Sequence, residues 1–269
     1  MKHHPVNSGN KGKRRPESKT QQDHHNAKAE KTRQQKALQK DQQKKPRNKT
    51  ERAGPRRQLN PSTLMAPLPA VLVSCRGMHP EGKTKGLKPE NNLITIAWAG
   101  IVCSDPPMLS IAIRPSRYSY QLIKSSGAFV VNLVDKPLLE STDFCGVQSG
   151  RDVDKFEACQ LTAVPSAGLE DVPAVAESPL SLSCRLNQIC KLGSHDLFIG
   201  EIVAVEAKET LFDNHDRLCL EKARLIGFAH GQYYEMGQIA GFFGFSVASD
   251  NVLKRRMTDI RQKNKRRPD

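Results

Sequence analysis

Apolar residues in this chain fall into short segments that are typical of β-strands. Runs of branched and apolar residues bounded by Gly, Pro or Asp predict strands. Four such runs are Leu68–Cys75, Leu93–Ala99, Met108–Ile113 and Ala128–Val134. The segment Leu180–Leu186 alternates apolar and polar residues, and this period of two predicts a strand with one buried face.

A hairpin is predicted next to that alternating segment. His195–Ala207 reads as a second long strand, and the Gly193-Ser194 pair before it predicts a tight turn. Ala223–Phe228 predicts one further strand. Three short helices are predicted, over Tyr118–Lys124, Leu138–Phe144 and Asp152–Ala158. Many antiparallel strands with few outer helices favour a small β-barrel, because closure removes exposed strand edges.

Charge divides the chain into three parts. Residues 1–60 carry 18 Lys and Arg against 5 Asp and Glu, and residues 250–269 carry 8 against 3. The segment 61–249 carries 16 against 20, so the net charge of +14 comes from the two ends. Residues 1–60 have almost no large aliphatic side chains, and we expect this tail to be disordered. The body, 61–249, has the size of one domain.

The basic ends leave their own role open. No apolar stretch follows the basic start, which argues against a signal peptide, and the Gln- and Lys-rich tail is unlike a transit peptide. No apolar run approaches the roughly 20 residues of a membrane span, so we expect a cytoplasmic protein without membrane association. The tails fit either weak nucleic-acid or ribosome binding through counterion release, or a role in solubility alone. The second is favoured, because the first 60 residues contain no aromatic side chain to stack on bases.

The seven cysteines do not predict a metal site. None forms a Cys-x-x-Cys pair and none has a histidine at metal-ligand spacing. With no secretory signal we expect reduced thiols, most of them small buried apolar side chains. Cys145, in Asp143-Phe144-Cys145-Gly146, is the candidate redox thiol.

An anion site is predicted where the strand Met108–Ile113 gives way to a helix. A cluster of arginines and hydroxyls precedes the helix that starts at Tyr118, and a helix N-terminus offers unpaired N–H groups and partial positive charge to a phosphate. Trp98, the single tryptophan, closes the preceding strand. A flat aromatic ring beside an anion site suits flavin mononucleotide (FMN). Two ordinary core strands followed by a capped helix are the alternative.

Four motifs, in order over residues 62–247, resemble the flavoredoxin branch of the flavin reductase-like family. They are Asn92-x-x-Thr95-x-x-Trp98-x-Gly100 with Pro106-Pro107 and Arg114-Pro115-Ser116-Arg117-Tyr118-Ser119; Thr142-Asp143-Phe144-Cys145-Gly146 with Ser149-Gly150-Arg151-Asp152-Val153-Asp154-Lys155-Phe156; Gly193-Ser194-His195-Asp196; and Tyr233-Tyr234 through Gly237 and Gly241 to Val247. The resemblance implies a mainly β protein, an FMN-binding split β-barrel with a few peripheral helices. It also implies a homodimer with flavin near the subunit interface. Here disordered basic tails would flank the barrel.

The resemblance also assigns cofactor-binding residues: Asn92, Thr95, Trp98, Arg114, Arg117, Ser119, Lys155, His195 and Phe228. An amide such as that of Asn92 both donates to and accepts from the polar edge of the ring, and Trp98 covers the ring. Ser119 and Arg117 are expected at the phosphate, since the guanidinium fork donates two charge-assisted bonds. Arg114 is the second cation, or else pairs with an acidic neighbour.

Several of these residues have an ordinary structural alternative. Asn92 would form a turn at the start of its strand, Trp98 would fill the core, and Thr95 would be a structural strand residue. Lys155 would stabilise negatively charged reduced flavin, or would be a solvated lysine paired with Asp152. His195, considered for contact with flavin or nicotinamide, is the one candidate for a catalytic role, or a surface histidine. Phe228 would pack near the flavin, or in the core. No metal-binding residue is predicted.

The implied activity is an NAD(P)H-dependent flavin oxidoreductase that passes electrons through FMN to a second acceptor or to free flavin. No acid–base residue is required, in agreement with the absence of a carboxylate pair or triad. The chain has no Gly-x-Gly-x-x-Gly motif, so the nicotinamide would bind over the flavin and not in a Rossmann domain. The alternatives are a non-catalytic FMN electron carrier and an RNA- or ribosome-associated protein acting through its basic tails.

Overall fold

The computed structural model describes residues 54–78 and 90–265, and the expected disorder of residues 1–53 lies outside them. The chain divides into two units, 1–62 and 63–269. The described part of the first unit, residues 54–62, is exposed and contains no helix or strand.

The second unit is mainly β, as predicted. Its strands are β1 (Leu68–Pro69), β2 (Val71–Gly77), β3 (Glu90–Ile96), β4 (Ala99–Ser104), β5 (Pro107–Ile113), β6 (Ala128–Leu133), β7 (Ala163–Pro165), β8 (Pro173–Val175), β9 (Leu180–Lys191), β10 (Asp196–Ala207), β11 (Ile226–Ala229) and β12 (Gln232–Glu235). Its α-helices are α1 (Tyr118–Ser126), α2 (Leu139–Val147), α3 (Lys155–Ala158) and α4 (Asp250–Lys265), and 3₁₀ turns cover Lys136–Leu138, Glu209–Leu211 and Leu220–Ala223. Strands β4, β7, β8 and β12 were not predicted. The exposed apolar residues of β4 do not alternate with polar ones, and the other three strands have only three or four residues each.

The main sheet curls into a split barrel. Seven antiparallel strands follow the order β3-β2-β6-β9-β10-β5-β4. Just beyond β3, the carbonyl of Trp98 accepts a hydrogen bond from the N–H of Ala112 in β5, at 2.9 Å. Ile96 of β3 and Ile111 of β5 belong to the same buried cluster. The two sides of the sheet therefore approach each other around one core, and the site lies where they meet.

The predicted hairpin is formed by β9 and β10. The strands pair from Asp196 opposite Lys191 to Ala207 opposite Leu180, with two bulges. Gly193 in the connecting turn has φ of +101°, a conformation that glycine adopts without steric cost. Phe198 of β10 is fully buried, with its ring at 5.0 Å from that of Tyr120. This packing fixes the start of β10, and His195 immediately precedes it.

The C-terminal segment differs from the prediction of a disordered tail ending the domain at residue 249. Helix α4 spans Asp250–Lys265, its Ile260 is buried, and the Asn264 side chain exchanges two hydrogen bonds with the backbone of Ile239, at 2.9 and 3.1 Å. Leu253, Met257 and Ile260 recur every three or four residues, the spacing of one helix face. Because most residues of this segment are charged or polar, its short apolar stripe was not recognised in the sequence. The folded body therefore extends to residue 265.

Candidate functional site

A pocket of about 380 Å³ lies where the ends of strands β3 and β5 meet the start of α1, the end of α2 and the β9–β10 turn. Five of the nine predicted cofactor residues line it: Thr95, Trp98, Arg114, Arg117 and His195. Residues far apart in the sequence, from Thr95 to His195, are thus brought together as the motifs predicted.

One end of the pocket is positively charged. Arg117 is the N-cap residue of α1 and donates through Nη2 to the carbonyl oxygen of Gly146. The first turn of α1 contains no acidic residue, and no side chain caps it. Within residues 54–78 and 90–265, neither Arg114 nor Arg117 forms an ion pair with a carboxylate, so the alternative of an acidic partner for Arg114 is not observed. Such an end suits a phosphate.

Two rings lie side by side at the other side of the pocket. The centroids of Trp98 and His195 are 4.6 Å apart, and their planes are inclined at 42°. The Trp98 residue is 40% exposed, so it is not filling the core. An exposed indole next to an imidazole offers a flat apolar surface to a ligand ring.

The hydrogen bonds of His195 define its tautomer. The guanidinium Nε of Arg114 donates to Nε2 of His195 at 3.4 Å, so Nε2 must accept. Nδ1 then carries the proton and donates to the hydroxyl of Ser194 at 3.0 Å. Burial, followed by the charge of Arg114, lowers the pKa of His195 below its ordinary value. The imidazole is therefore neutral near pH 7 and orients the guanidinium of Arg114.

Asn92 and Ser119 form a buried pair behind the pocket. The Nδ2 of Asn92 donates to the hydroxyl of Ser119 at 2.8 Å, and these residues are only 2% and 1% exposed. Neither lines the pocket. The pair ties β3 to the first turn of α1, and their direct contact with a cofactor stays a prediction.

Lys155 is buried, in contrast to the alternative of a solvated lysine paired with Asp152. Its Nζ donates to the carbonyl oxygens of Leu93 at 2.7 Å and Cys145 at 2.8 Å, and the residue is 3% exposed. Desolvation by burial lowers the pKa of this amine. Lys155 joins α3 to β3 and to the end of α2 and does not line the pocket, so its flavin contact stays a prediction.

Thr95 lines the pocket and is also tied to α2. Its hydroxyl donates to the carbonyl oxygen of Thr142, whose own hydroxyl donates to Leu138 one turn earlier at 2.7 Å. Thr95 can therefore both hold β3 to α2 and contact a ligand in the pocket.

Phe228 lies apart from the pocket. It sits on β11 against Tyr233, with ring centroids 5.3 Å apart, and packs on the buried cluster that includes Leu72 and Leu93. The geometry matches the core-packing alternative. A cofactor contact at Phe228 stays a prediction.

Seven residues that line the pocket were not singled out from the sequence, namely Ile94, Ile96, Ala97, Ala112, Ile113, Ser116 and Gly146. Ser116 and Gly146 both belong to the motifs that carry the family resemblance, but neither was chosen as a cofactor-binding residue. A Cβ at Gly146 would lie 3.3 Å from the Cβ of Thr95. This close approach brings the end of α2 to the pocket.

The part of the chain that the structure describes contains neither a metal-binding cluster nor a membrane-spanning helix. Residues 54–78 and 90–265 contain no group of three His, Cys, Asp or Glu side chains arranged to hold a metal ion. In the same residues, every helix is too short or too polar to cross a membrane.

The comparison with protein families agrees with this architecture. The family model described as "Flavin reductase like domain" matches residues 65–236, well over half of the chain. The chain therefore belongs to the flavin reductase-like family, and the resemblance seen in the motifs is confirmed.

Individual relatives support the same placement. The flavoredoxin of Desulfovibrio vulgaris (Miyazaki F) superimposes with a TM-score of 0.61 at 29% identity, over 70% of this chain and 97% of that one. An uncharacterized protein of Archaeoglobus fulgidus is 37% identical over 114 residues, 42% of this chain and 64% of the relative. An FMN reductase (NADH) of Pseudomonas syringae pv. syringae is 27% identical over 131 residues, 45% of this chain and 71% of the relative. The chain thus spans less than two thirds of the Archaeoglobus protein.

The pocket fits the cofactor that these comparisons support, FMN. A positively charged end is available for a terminal phosphate, and a flat ring surface lies in the same cavity. The volume of about 380 Å³ is in the range of small-molecule sites.

Proposed function

We propose that this protein binds FMN in the pocket between Trp98 and Arg117 and transfers electrons from a reduced nicotinamide, NADH or NADPH, to a second acceptor. One observation carries the proposal: an uncompensated cationic helix end and an exposed tryptophan ring line the same cavity. The names of the flavoredoxin and FMN reductase relatives support the same chemistry.

Different residues of the pocket contact different parts of the cofactor. Arg117 and the N-terminus of α1 hold the phosphate, with Arg114 as the second cation. Trp98 covers the ring system and excludes water from one face. When bound, FMN supplies reversible hydride and electron transfer, so the protein needs to bind and orient and does not need an acid–base pair.

The nicotinamide binds transiently on the open side of the pocket. Its ring would lie near the imidazole of His195, which burial and then the charge of Arg114 keep neutral by lowering its pKa. A neutral imidazole avoids repulsion with the cationic pocket end and offers a fixed donor–acceptor pattern. His195 is thus a positioning residue for the donor.

We further propose that the working unit is a homodimer. On β4, which follows Trp98 directly, Ile101 and Val102 are 67% and 50% exposed. Exposed apolar residues in a strand beside the site are characteristic of a surface that a partner covers. Closing this surface would also enclose the exposed side of Trp98.

Binding can be measured with the protein's single tryptophan. FMN added to the full chain should quench Trp98 fluorescence, and Arg117→Gln should weaken FMN binding about 10- to 100-fold, the cost of losing hydrogen bonds to a charged group. Riboflavin, which lacks the phosphate, should bind the variant and the parent equally. Arg185→Gln, an exposed arginine on β9, is the control. Failure of FMN to bind the parent chain would refute the proposal.

Turnover separates an enzyme from an electron carrier. The FMN-loaded protein should oxidise NADH or NADPH in the presence of an electron acceptor. The loss of the absorbance of the reduced nicotinamide measures this reaction. A protein that binds FMN and is reduced chemically, but not by either nicotinamide, would instead be the carrier. Deleting residues 1–53 should change neither binding nor turnover, since the pocket lies in the second unit.

A further inference from the structure

Two thiols meet where the end of α2 faces the residue after α3. The Sγ atoms of Cys145 and Cys159 lie 3.9 Å apart. Cys145 is fully buried and Cys159 is half-buried. The described residues include all seven cysteines, and this is the one thiol–thiol contact among them.

The same turn of α2 contributes Gly146 to the lining of the candidate flavin site. The carbonyl oxygen of Cys145 accepts from the buried Nζ of Lys155, and that of the next residue, Gly146, accepts from Arg117. Gly146 and Arg117 both line the pocket. Cys145 therefore lies one peptide unit from the residue that holds Arg117 at the cationic end of the pocket.

We propose that Cys145 and Cys159 form a reversible dithiol–disulfide pair that responds to small-molecule disulfides and controls the affinity of the pocket for FMN. The thiol chemistry stands on the geometry of the two cysteines alone. The control of FMN affinity rests on the proposed function.

The oxidation is an exchange with a disulfide such as oxidised glutathione. The more accessible Cys159 thiolate attacks one sulfur, forms a mixed disulfide and releases one glutathione thiolate. The thiolate of Cys145 then attacks Sγ of Cys159 and releases the second glutathione. Two electrons pass from the protein to glutathione disulfide, and the two protons end on two glutathione thiols. Burial raises the pKa of Cys145 to about 12, so Cys145 acts second, as the resolving thiol.

Bond formation has to move the two sulfur atoms. The sulfur atoms must approach from 3.9 Å to about 2 Å, the length of a disulfide bond. The proposed coupling is that this approach displaces the end of α2, together with the hydrogen bonds that its carbonyl oxygens accept from Lys155 and Arg117. We expect FMN to bind the oxidised protein about 10-fold more weakly than the reduced protein, a typical coupling between two sites.

The experiment uses the full chain, free of FMN, incubated with glutathione redox mixtures and then alkylated. Intact mass and peptide mapping should show a bond between Cys145 and Cys159 that a reducing agent removes. Cys159→Ser should abolish it, while Cys190→Ser, the replacement of a half-buried cysteine without a thiol neighbour, should retain it. FMN titrations of the oxidised and reduced protein then measure the coupling.

Each outcome has a distinct meaning. A disulfide together with an affinity loss that is absent from Cys159→Ser supports the proposal. No disulfide between these residues in the folded protein overturns it, whether or not FMN binds. A disulfide with unchanged FMN affinity overturns the regulatory part. If the reduced protein fails to bind FMN, the proposed function fails, and the mass measurement still decides the thiol chemistry.

Discussion

Gly150 leaves just enough room for the side chain of Asn92. A Cβ at position 150 would lie 2.2 Å from Oδ1 of Asn92 and 2.9 Å from the ring of Tyr118. Asn92 cannot simply turn away, because its Nδ2 is held by the hydroxyl of Ser119 at 2.8 Å. The loop before α3 is therefore packed against the pair that ties β3 to α1.

Gly150→Ala should destabilise the protein by about 1–3 kcal/mol, the usual cost of overpacking. The added methyl group forces the Asn92–Ser119 pair apart. Denaturant unfolding measures the effect, and Gly237→Ala, where no atom lies within 4 Å of the new Cβ, is the control. In an Asn92→Ala background the further cost of Gly150→Ala should be smaller. Equal costs in both backgrounds would contradict the packing argument.

Lys155→Met should lower the free energy of unfolding by about 1–3 kcal/mol, because it leaves the carbonyl oxygens of Leu93 and Cys145 without their donor. Lys124→Met, at an exposed position in the last turn of α1, should be nearly neutral. Thermal or urea unfolding gives the comparison. A neutral Lys155→Met would mean that these hydrogen bonds contribute nothing to stability.

His195 should make stability depend on pH. The pKa of His195 is lowered in the folded state. At pH values between the ordinary pKa of about 6.5 and the lowered pKa, the imidazole is therefore protonated in the unfolded chain and neutral in the folded chain. The contribution of His195 is therefore complete above pH 6.5 and is lost as the pH falls through this window. Unfolding curves at several pH values should show a smaller slope for His195→Gln. An identical slope would show that His195 titrates normally.

Ile101→Asp should convert the proposed homodimer into monomers, because it places a charge in the apolar surface of β4. Light scattering measures the change, and weaker FMN binding should accompany it. Val205→Asp, at another exposed apolar strand position, is the matched control. A parent chain that is monomeric while holding FMN would refute the dimer.

Ile260→Ala should destabilise the protein by about 2 kcal/mol or more, the lower end for truncating a buried aliphatic side chain. Ile260 is the buried residue of α4, whereas Arg261 beside it is exposed. Arg261→Ala should have little effect on unfolding. If both variants are neutral, α4 does not contribute to the folded body.

The motifs were sufficient to locate the pocket but not to assign every side chain to it. Trp98, Arg117 and His195 occur at strand ends and turns, where local sequence signals are strong, and all three line the cavity. The local sequence around Lys155 does not distinguish it from a solvent-exposed lysine on a helix. Its burial depends on Leu93, 62 positions away, which no local pattern reveals.

The sequence by itself determined the mainly β character, the β9–β10 hairpin and the family, because strand propensity, turn residues and motif order are local properties. The tertiary structure decided that α4 packs on the body, that Asn92 and Ser119 are buried behind the pocket, and that Cys145 meets Cys159. These contacts arise only when distant segments are brought together around one core. The physical reason is that burial and desolvation belong to the assembled neighbourhood of a residue, whereas periodicity and turn chemistry belong to its immediate neighbours in the chain.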